Sequence, residues 1–378
     1  VNYNPRDFGD YDLVICDEAD VIEAQLTQFV SLFISSRMIK LFKIPKPAKV
    51  TNTSQNIEQI WQDWCRLVIT KLKDANLSAM GYSRDTDEYK RMKIRVRNML
   101  VGLNRMKDDV STNWIFEEKV SKEIIDSEAG YYFKPIWITP EQFHEYFGRF
   151  GRKFVFMSGS FPTDKIIEKT LGIPAKSMDI YRFDSDFPVE SRKIYLHFTG
   201  DMSMKNKNVS TPLILAKCKE IVDKNPDVKI LIHAVSYTLA NQIAFYIGGD
   251  RVITHTAKDK NEKVEMFKRS VRPLVLVSPV CQRGVDLPHD ECRIQIICKA
   301  PFLSLGDKFT SARMNSGKDG RDWYISMACQ EIIQMAGRGM RSADDFCETH
   351  VLDTGACKLL IEKKGMFPQW FIDATEYA

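Results

Sequence analysis

The sequence predicts an α/β protein: two parallel-sheet regions, the first incomplete, separated by a mainly helical insertion. Three observations carry this reading. A continuous apolar run, Leu13-Val14-Ile15-Cys16, breaks off into Asp17-Glu18-Ala19-Asp20, as parallel strands covered on both faces by helices do. Residues 21–130 then change to helical spacing. From near Lys193, strand-like and helix-like segments alternate over about 180 residues, the pattern of a doubly wound sheet.

Within the insertion, Ser54 is placed to cap a helix through Ile57, Ile60, Trp61, Trp64, Leu67, Val68 and Leu72. A second helix carries Met92, Val96, Met99, Leu100, Leu103 and Met106 on one stripe. Its other faces hold a run of cations, Arg91, Lys93, Arg95 and Arg97 among them. Such a run is either a solvated face or a track for phosphates, and solvated faces are the commoner case. Strand-like pattern returns from Tyr131 through Pro135-Ile136-Trp137-Ile138. It recurs in Lys153-Phe154-Val155-Phe156-Met157, which ends in Ser158-Gly159-Ser160. Later strands are expected at 194–198, 228–233, 251–254, 274–278, 293–298 and 349–352. Helices are expected between them at 212–224, 237–247, 261–269 and 322–341.

A length of 378 residues accommodates two or three domains, and 44% apolar with 28% charged residues describes a packed globular chain rather than a disordered one. A formal charge of +4 is too small to identify a nucleic-acid binder, so local charge must carry that argument. No apolar run approaches the ~20 residues of a membrane span. No signal-peptide pattern follows Val1, and a chain opening Val1-Asn2-Tyr3-Asn4 so close to a core strand reads as cut from something longer. Nine cysteines are scattered singly without a C-x-x-C, the closest pair being Cys292 and Cys298. Free buried thiols of a reducing, cytoplasmic or nucleoid-associated protein fit this better than disulfides or a metal site.

Four strings carry chemistry. Asp17, at the carboxyl end of a buried strand, can hold Mg²⁺ for a nucleotide, and Glu18 can polarise the water that attacks a γ-phosphate. In Gln334-Met335-Ala336-Gly337-Arg338-Gly339-Met340-Arg341 the two arginines are three apart, so on a helix they would project side by side to grip a terminal phosphate. Gly337 and Gly339 are costly inside a helix and suggest a close approach by backbone or ligand. In Gln282-Arg283-Gly284-Val285-Asp286, Gly284 permits a tight turn, and Asp286 can accept hydrogen bonds from a sugar, Arg338 or Arg341. Ser158 and Ser160 can relay between a phosphate site and a neighbouring groove, or cap the next helix. Tyr237 and Phe302 can stack on bases but are expected in the core.

Taken in this order the strings resemble the motifs of superfamily 2 helicases. Asp17-Glu18-Ala19-Asp20 resembles motif II, Ser158-Gly159-Ser160 motif III, Gly284-Val285-Asp286 motif V and Gln334–Arg341 motif VI. The Met-Ser-Gly stretch, Pro301-Phe302-Leu303-Ser304-Leu305-Gly306-Asp307 and Gly320-Arg321-Asp322-Trp323-Tyr324 are similar to the XPD/DinG-like branch. The resemblance implies two RecA-like lobes, residues 1–20 with 131–188 and residues 189–378, and an arch-like insertion at 21–130. It implies ATP and Mg²⁺ as cofactors, with Asp17 on the metal, Glu18 as base, and Arg338 and Arg341 as arginine fingers with Gln334 beside them. Asp20, Ser158, Ser160, Gly284 and Asp286 would couple nucleotide state to DNA grip. Apart from the resemblance, Arg91, Arg95, Arg97, Tyr237 and Arg283 are the weaker candidates for DNA contact. The implied protein is a monomeric 5′→3′ helicase on single-stranded or forked DNA.

Two residues depart from the branch: Asp20 stands where His is usual, and Arg283 where Glu precedes the motif V glycine. No G-x-x-x-x-G-K-[ST] loop occurs in the sequence. The family's loop lies upstream of motif II, so a start at Val1 would have removed it together with any iron–sulfur segment. The chain alone is therefore expected to be inactive. A non-catalytic nucleic-acid-binding or partner-docking module, and a translocase without strand separation, are the alternatives.

Overall fold

In the computed structural model, which describes residues 11–48, 56–120, 129–279 and 285–378, the first apolar run forms strand β1 (Tyr11–Cys16). Four more strands follow in the same unit: β2 (Leu32–Ser35), β3 (Trp114–Lys119), β4 (Gly130–Pro135) and β5 (Gly151–Phe156). This unit comprises Val1–Gly159, Asp164–Met178 and Ser304–Arg321. A second comprises Ser160–Thr163, Asp179–Leu303 and Asp322–Ala378.

β1 and β5 pair in parallel, with Ile15 opposite Val155. Leu13 and Ile15 stay 49% and 61% exposed, so the two-sided cover expected of this run is absent among the described residues. The insertion is mainly helical as expected, but it also carries strands that the sequence reading did not anticipate. β2 and β3 flank β4 in an antiparallel sheet, with Leu32 and Phe116 both opposite Phe133. Four- and six-residue runs are too short for their period to announce them, and they are strands because β4 supplies the partner.

Two long helices, Ile57–Lys73 and Asp87–Asp109, belong to the same unit. Ser54, the expected cap of the first, lies outside the described residues, and Asn56 occupies the N-cap. Thr86 caps the second, accepting from Tyr89 N at 3.2 Å. Trp61 and Trp64 of the first helix pack their rings 5.5 and 5.1 Å from Phe133, which is fully buried.

The segment Ser304–Arg321, expected in the second lobe, packs within the first unit. Arg313 is 1% exposed, ion-paired with Glu23, and its guanidinium lies 4.0 Å over the Trp137 ring. The Trp137 indole N–H donates to Ser316 Oγ at 3.2 Å. Gly320 leaves no room for a side chain, since a Cβ there would sit 1.9 Å from the Arg313 carbonyl oxygen.

The second unit is built on β6 (Ile194–Gly200), β7 (Ile230–His233), β8 (Val252–Thr254), β9 (Val275–Ser278), β10 (Ile294–Ile297), β11 (Glu348–Asp353) and β12 (Thr375–Tyr377). All seven run parallel, in the order β12-β6-β11-β10-β7-β9-β8. β7, β9 and β10 are buried throughout, as both-face cover by helices requires. The helix Tyr237–Ile247 has the expected bounds. The helix expected from Pro212 starts at Lys207, with Pro212 on its exposed side, where a missing N–H is least costly. The helix expected to reach Arg341 is Lys318–Ala336. The eight described cysteines are free thiols. No described helix is long and apolar enough to cross a membrane.

Three buried polar side chains, His233, Ser278 and Asp353, stand at the carboxyl ends of these strands. Asp353 accepts backbone N–H groups of Met202 at 3.1 Å, Ala300 at 2.7 Å and Gly355 at 2.9 Å, so one carboxylate holds the ends of three chain segments. Burial pushes the His233 imidazole down to about 4. His350 falls to about 4 for the same reason, its Nδ1 lying 2.9 Å from His197 Nε2.

Gly320→Ala should destabilise the protein by about 1–3 kcal/mol through the forced shift of backbone. Thermal unfolding should show this, while Gly365→Ala, where a Cβ meets nothing within 4 Å, leaves the midpoint nearly unchanged. The histidines predict acid sensitivity. Unfolded imidazoles protonate near 6.5, whereas folded His233 and His350 stay neutral down to about 4. Stability is therefore complete above the unfolded value and is lost as pH falls from about 6.5 toward 4. In chemical denaturation across that window, His233→Gln should flatten the dependence.

Candidate functional site

In the first unit the acidic string turns immediately after β1. Asp17 and Glu18 are exposed at its carboxyl end, where open parallel sheets bind ligands. Glu18 adopts a left-handed conformation with φ 49° and donates its backbone N–H to Asp17 Oδ1 at 2.9 Å. Two backbone bonds fix this loop to the end of β5: Ala19 N to Met157 O, and Met157 N to Cys16 O, both 2.9 Å. Ser158 Oγ then donates to Asp20 Oδ1 at 2.9 Å. Two strings 138 residues apart thus meet, and Asp20 makes a direct hydroxyl contact.

The donor set suits a hard divalent cation held mainly by phosphate and water oxygens, for which one or two carboxylates suffice. Asp17 is such a carboxylate, exposed, with one oxygen engaged by backbone. Among the described residues no cluster of three His, Cys, Asp or Glu could form an all-protein metal cage.

In the second unit the arginines do not project from a helix. The helix Lys318–Ala336 stops before them, and Gly337 through Arg341 form a turn. Close approach by another part of the protein, chiefly the Cys347 side chain, explains one glycine. A Cβ on Gly339 would lie 2.3 Å from Cys347 Sγ and 3.2 Å from the Cys292 carbonyl oxygen. Within the turn the arginines differ. Arg338 is half-buried and directed at protein oxygens: Nε to Gln334 O at 2.8 Å, Nη1 to Val285 O at 3.2 Å, and Nη2 to Gln334 Oε1. Arg341 is exposed and ion-paired with Asp286, itself exposed. Gln334 Nε2 donates to Ser160 Oγ at 2.7 Å.

The segment after Gly284 runs alongside this turn. Leu287 N donates to Arg338 O at 3.1 Å, and His289 N to Asp345 Oδ2 at 3.0 Å. Asp345 is 1% exposed and also accepts from Arg293 Nη1 at 2.7 Å and Phe346 N at 2.8 Å. Arg283 and Gly284 lie outside the described residues.

The aromatic candidates are not core residues. Tyr237 and Phe302 are 39% and 37% exposed. Tyr237 is the first residue of its helix, edge-on to His255 at 6.2 Å, and Phe302 stacks on Tyr324 at 5.2 Å. Close to Tyr237, Val235 holds φ 63°, which a β-branched residue rarely adopts. In both units a strained residue thus sits just beyond the end of a parallel strand, Glu18 in one and Val235 in the other. Such outliers gather at ligand sites. In the insertion, Arg91, Arg95 and Arg97 are exposed and form no ion pair with described residues, whereas Lys90 pairs with Asp87 at 3.8 Å.

Sequence reasoning passed over His233, Gln295 and Asp345. Gln295 had a signal, being a polar residue inside the apolar run Ile294-Gln295-Ile296-Ile297. Asp345 had none, since an acid after an arginine turn looks like solvent-facing loop.

Residues 218–372 match the family described as a helicase C-terminal domain. Among solved structures, S. tokodaii Xpd4 is similar over 97% of this chain and 75% of its own, at 15% identity and a TM-score of 0.54. An XPD helicase is similar over 99% and 70%, at 13% identity and a TM-score of 0.55. An apo XPD structure is similar over 99% and 79%, at 13% identity and a TM-score of 0.55. No curated protein sequence matches. At these identities the structural likeness is one of fold. Residues 218–372 are thus similar to helicase C-terminal domains, and the chain as a whole has an α/β fold like that of the XPD structures, with RecA-like lobes.

Proposed function

We propose that this chain is motor machinery of an ATP-dependent DNA helicase of the XPD/DinG-like branch, moving 5′→3′ on single-stranded DNA. The observation that carries the reading is the exposed Arg341, presented on a turn of the segment similar to helicase C-terminal domains and balanced by the exposed Asp286. A guanidinium in this state can exchange a carboxylate for a phosphate, since its fork of N–H donors matches either group bidentately. Arg338, saturated by Gln334 and Val285, sets the shape of the turn until nucleotide draws it away.

In this reading Asp17 would hold Mg²⁺, which when bound neutralises charge on the nucleotide's phosphates. Glu18, exposed at the end of β1, takes the proton of the attacking water. Arg341 stabilises the charge that develops on the transferred phosphoryl group. Asp20 with Ser158, and Ser160 with Gln334, report nucleotide state to the DNA path. Tyr237 and Phe302 offer exposed rings to bases, and Arg91, Arg95 and Arg97 offer charge to the backbone.

The chain has no G-x-x-x-x-G-K-[ST] segment, so turnover is assayed in a form of the protein that carries a phosphate-binding loop. There Arg341→Ala should lower DNA-stimulated ATP hydrolysis by about a thousandfold. Near-parent turnover would remove the arginine from the chemistry.

The three exposed arginines of the helix Asp87–Asp109, with no ion pair among the described residues, favour a second reading, a DNA-binding module whose grip needs no turnover. Both readings predict weaker single-strand binding when Arg91, Arg95 and Arg97 become Glu. The slope of log affinity against log salt should then fall by about 0.7 for each phosphate that the helix no longer neutralises. An unchanged slope would return this helix face to solvent. A strand-displacement assay separates helicase from translocase.

A further inference from the structure

Gln295 is a buried amide in the middle of a strand whose neighbours are all apolar, and its two ends have different partners. Nε2 donates to the Ala336 carbonyl oxygen at 2.7 Å, and Oε1 lies 3.2 Å from His233 Nε2. Ala336 is the last residue of its helix, and its carbonyl is one of those a helix end leaves without an internal partner. Here a side chain from the sheet interior satisfies it, immediately before Gly337, Arg338 and Gly339. The orientation that lets the amide donate to a carbonyl turns its oxygen toward His233. The imidazole therefore carries its proton on Nε2, and its Nδ1, buried without a hydrogen-bond partner among the described residues, is the bare nitrogen. The groups facing this amide are His233 on β7, Cys347 beside β11 (Sγ 3.5 Å from Nε2) and, beyond His233, the Arg338 charge.

A Leu or Ile at this position would pack equally well in β10, so packing alone does not require Gln. What an apolar residue would forfeit is the fixed direction in which the chain leaves the helix. The next three residues are already pinned, by Gly339 against Cys347 and by Arg338 O accepting from Leu287 N. Freeing Ala336 would release the one end of the turn held by a side chain from β10.

We infer that Gln295, oriented by His233, is a positioning residue that sets the reach of Arg338 and Arg341 through the carbonyl of Ala336. The inference rests on reading those arginines as phosphate-contacting groups, and the test separates the two. Displacing a charge-stabilising group by about 1 Å costs on the order of a hundredfold in rate. In the form that carries a phosphate-binding loop, the parent for this test, Gln295→Leu should therefore lower the single-turnover rate of ATP hydrolysis about tenfold to a hundredfold. In the Arg338→Ala/Arg341→Ala double variant, which has no guanidinium left to position, it should lower the rate less than about twofold. Equal reductions in both backgrounds would make Gln295 a structural residue and overturn the inference. A double variant as fast as the parent would overturn the reading of the arginines instead. If the Leu variant does not fold, Gln295→Glu, which keeps the acceptor for His233 and removes the donor to Ala336, should give the same pattern. If hydrolysis by the double variant is too slow to follow, the same cycle is run on ATP affinity by calorimetry, with the same two outcomes.

Discussion

The contact at Gly339 is the constraint on which the second unit's chemistry depends. With Cys347 Sγ and the Cys292 carbonyl where they are, no side chain fits there. That proximity brings the end of the helix Lys318–Ala336 down onto the buried sheet. The chain then has to turn, and the turn has to be satisfied by polar groups from inside. Gln295 meets the helix end, Asp345 collects the loop on the far side, and Leu287 bonds across to Arg338. A helix continuing to Arg341 would have needed none of these.

The same turn makes the two arginines unlike. Arg338 hydrogen-bonds three protein oxygens in a half-buried setting, so moving it strips acceptors of partners at about 1–3 kcal/mol each where they are buried. Arg341 and Asp286 form an ion pair with side chains 38% and 62% exposed, an arrangement worth about 0–1 kcal/mol. Exchanging that pair for a phosphate therefore costs little, and rebuilding the Arg338 network costs more. Two residues that read as interchangeable in the sequence are held to very different degrees in the fold.

How much was legible followed from how local each signal was. Six strands of the second unit could be read because they are short, largely apolar runs between clear breaks, whereas β12, Thr375-Glu376-Tyr377 at the sheet edge, carries no such signal. The helix Tyr237–Ile247 could be read because Ser236 caps it before an apolar stripe. The pairing of Asp20 with Ser158 was not legible, because it spans 138 residues and depends on β1 lying beside β5. The antiparallel sheet of the insertion was missed because Leu32–Ser35 and Trp114–Lys119 become strands only through β4. Tyr237 and Phe302 were expected inside because aromatic residues usually are. They are exposed because the carboxyl edge of a parallel sheet ends in loops. The helix expected through Arg341 was wrong for a physical reason already visible in its two glycines.

The segment Ser304–Arg321 shows how a buried charge decides which unit a stretch of chain belongs to. Its sequence lies among second-unit elements, yet Arg313 is buried in the first, paired with Glu23 and capped by the Trp137 ring. A buried ion pair adds little net stability, but breaking one leaves an unpaired buried charge at a cost of about 3–5 kcal/mol. Undocking would break that pair, separate the guanidinium from an aromatic face and leave the Trp137 indole N–H without Ser316. Gly320, with no room for a Cβ beside the Arg313 carbonyl, shows how closely the following helix start packs on the same segment. The excursion is thus a fixed part of the first unit, held there by a charge that has no cheaper place to go.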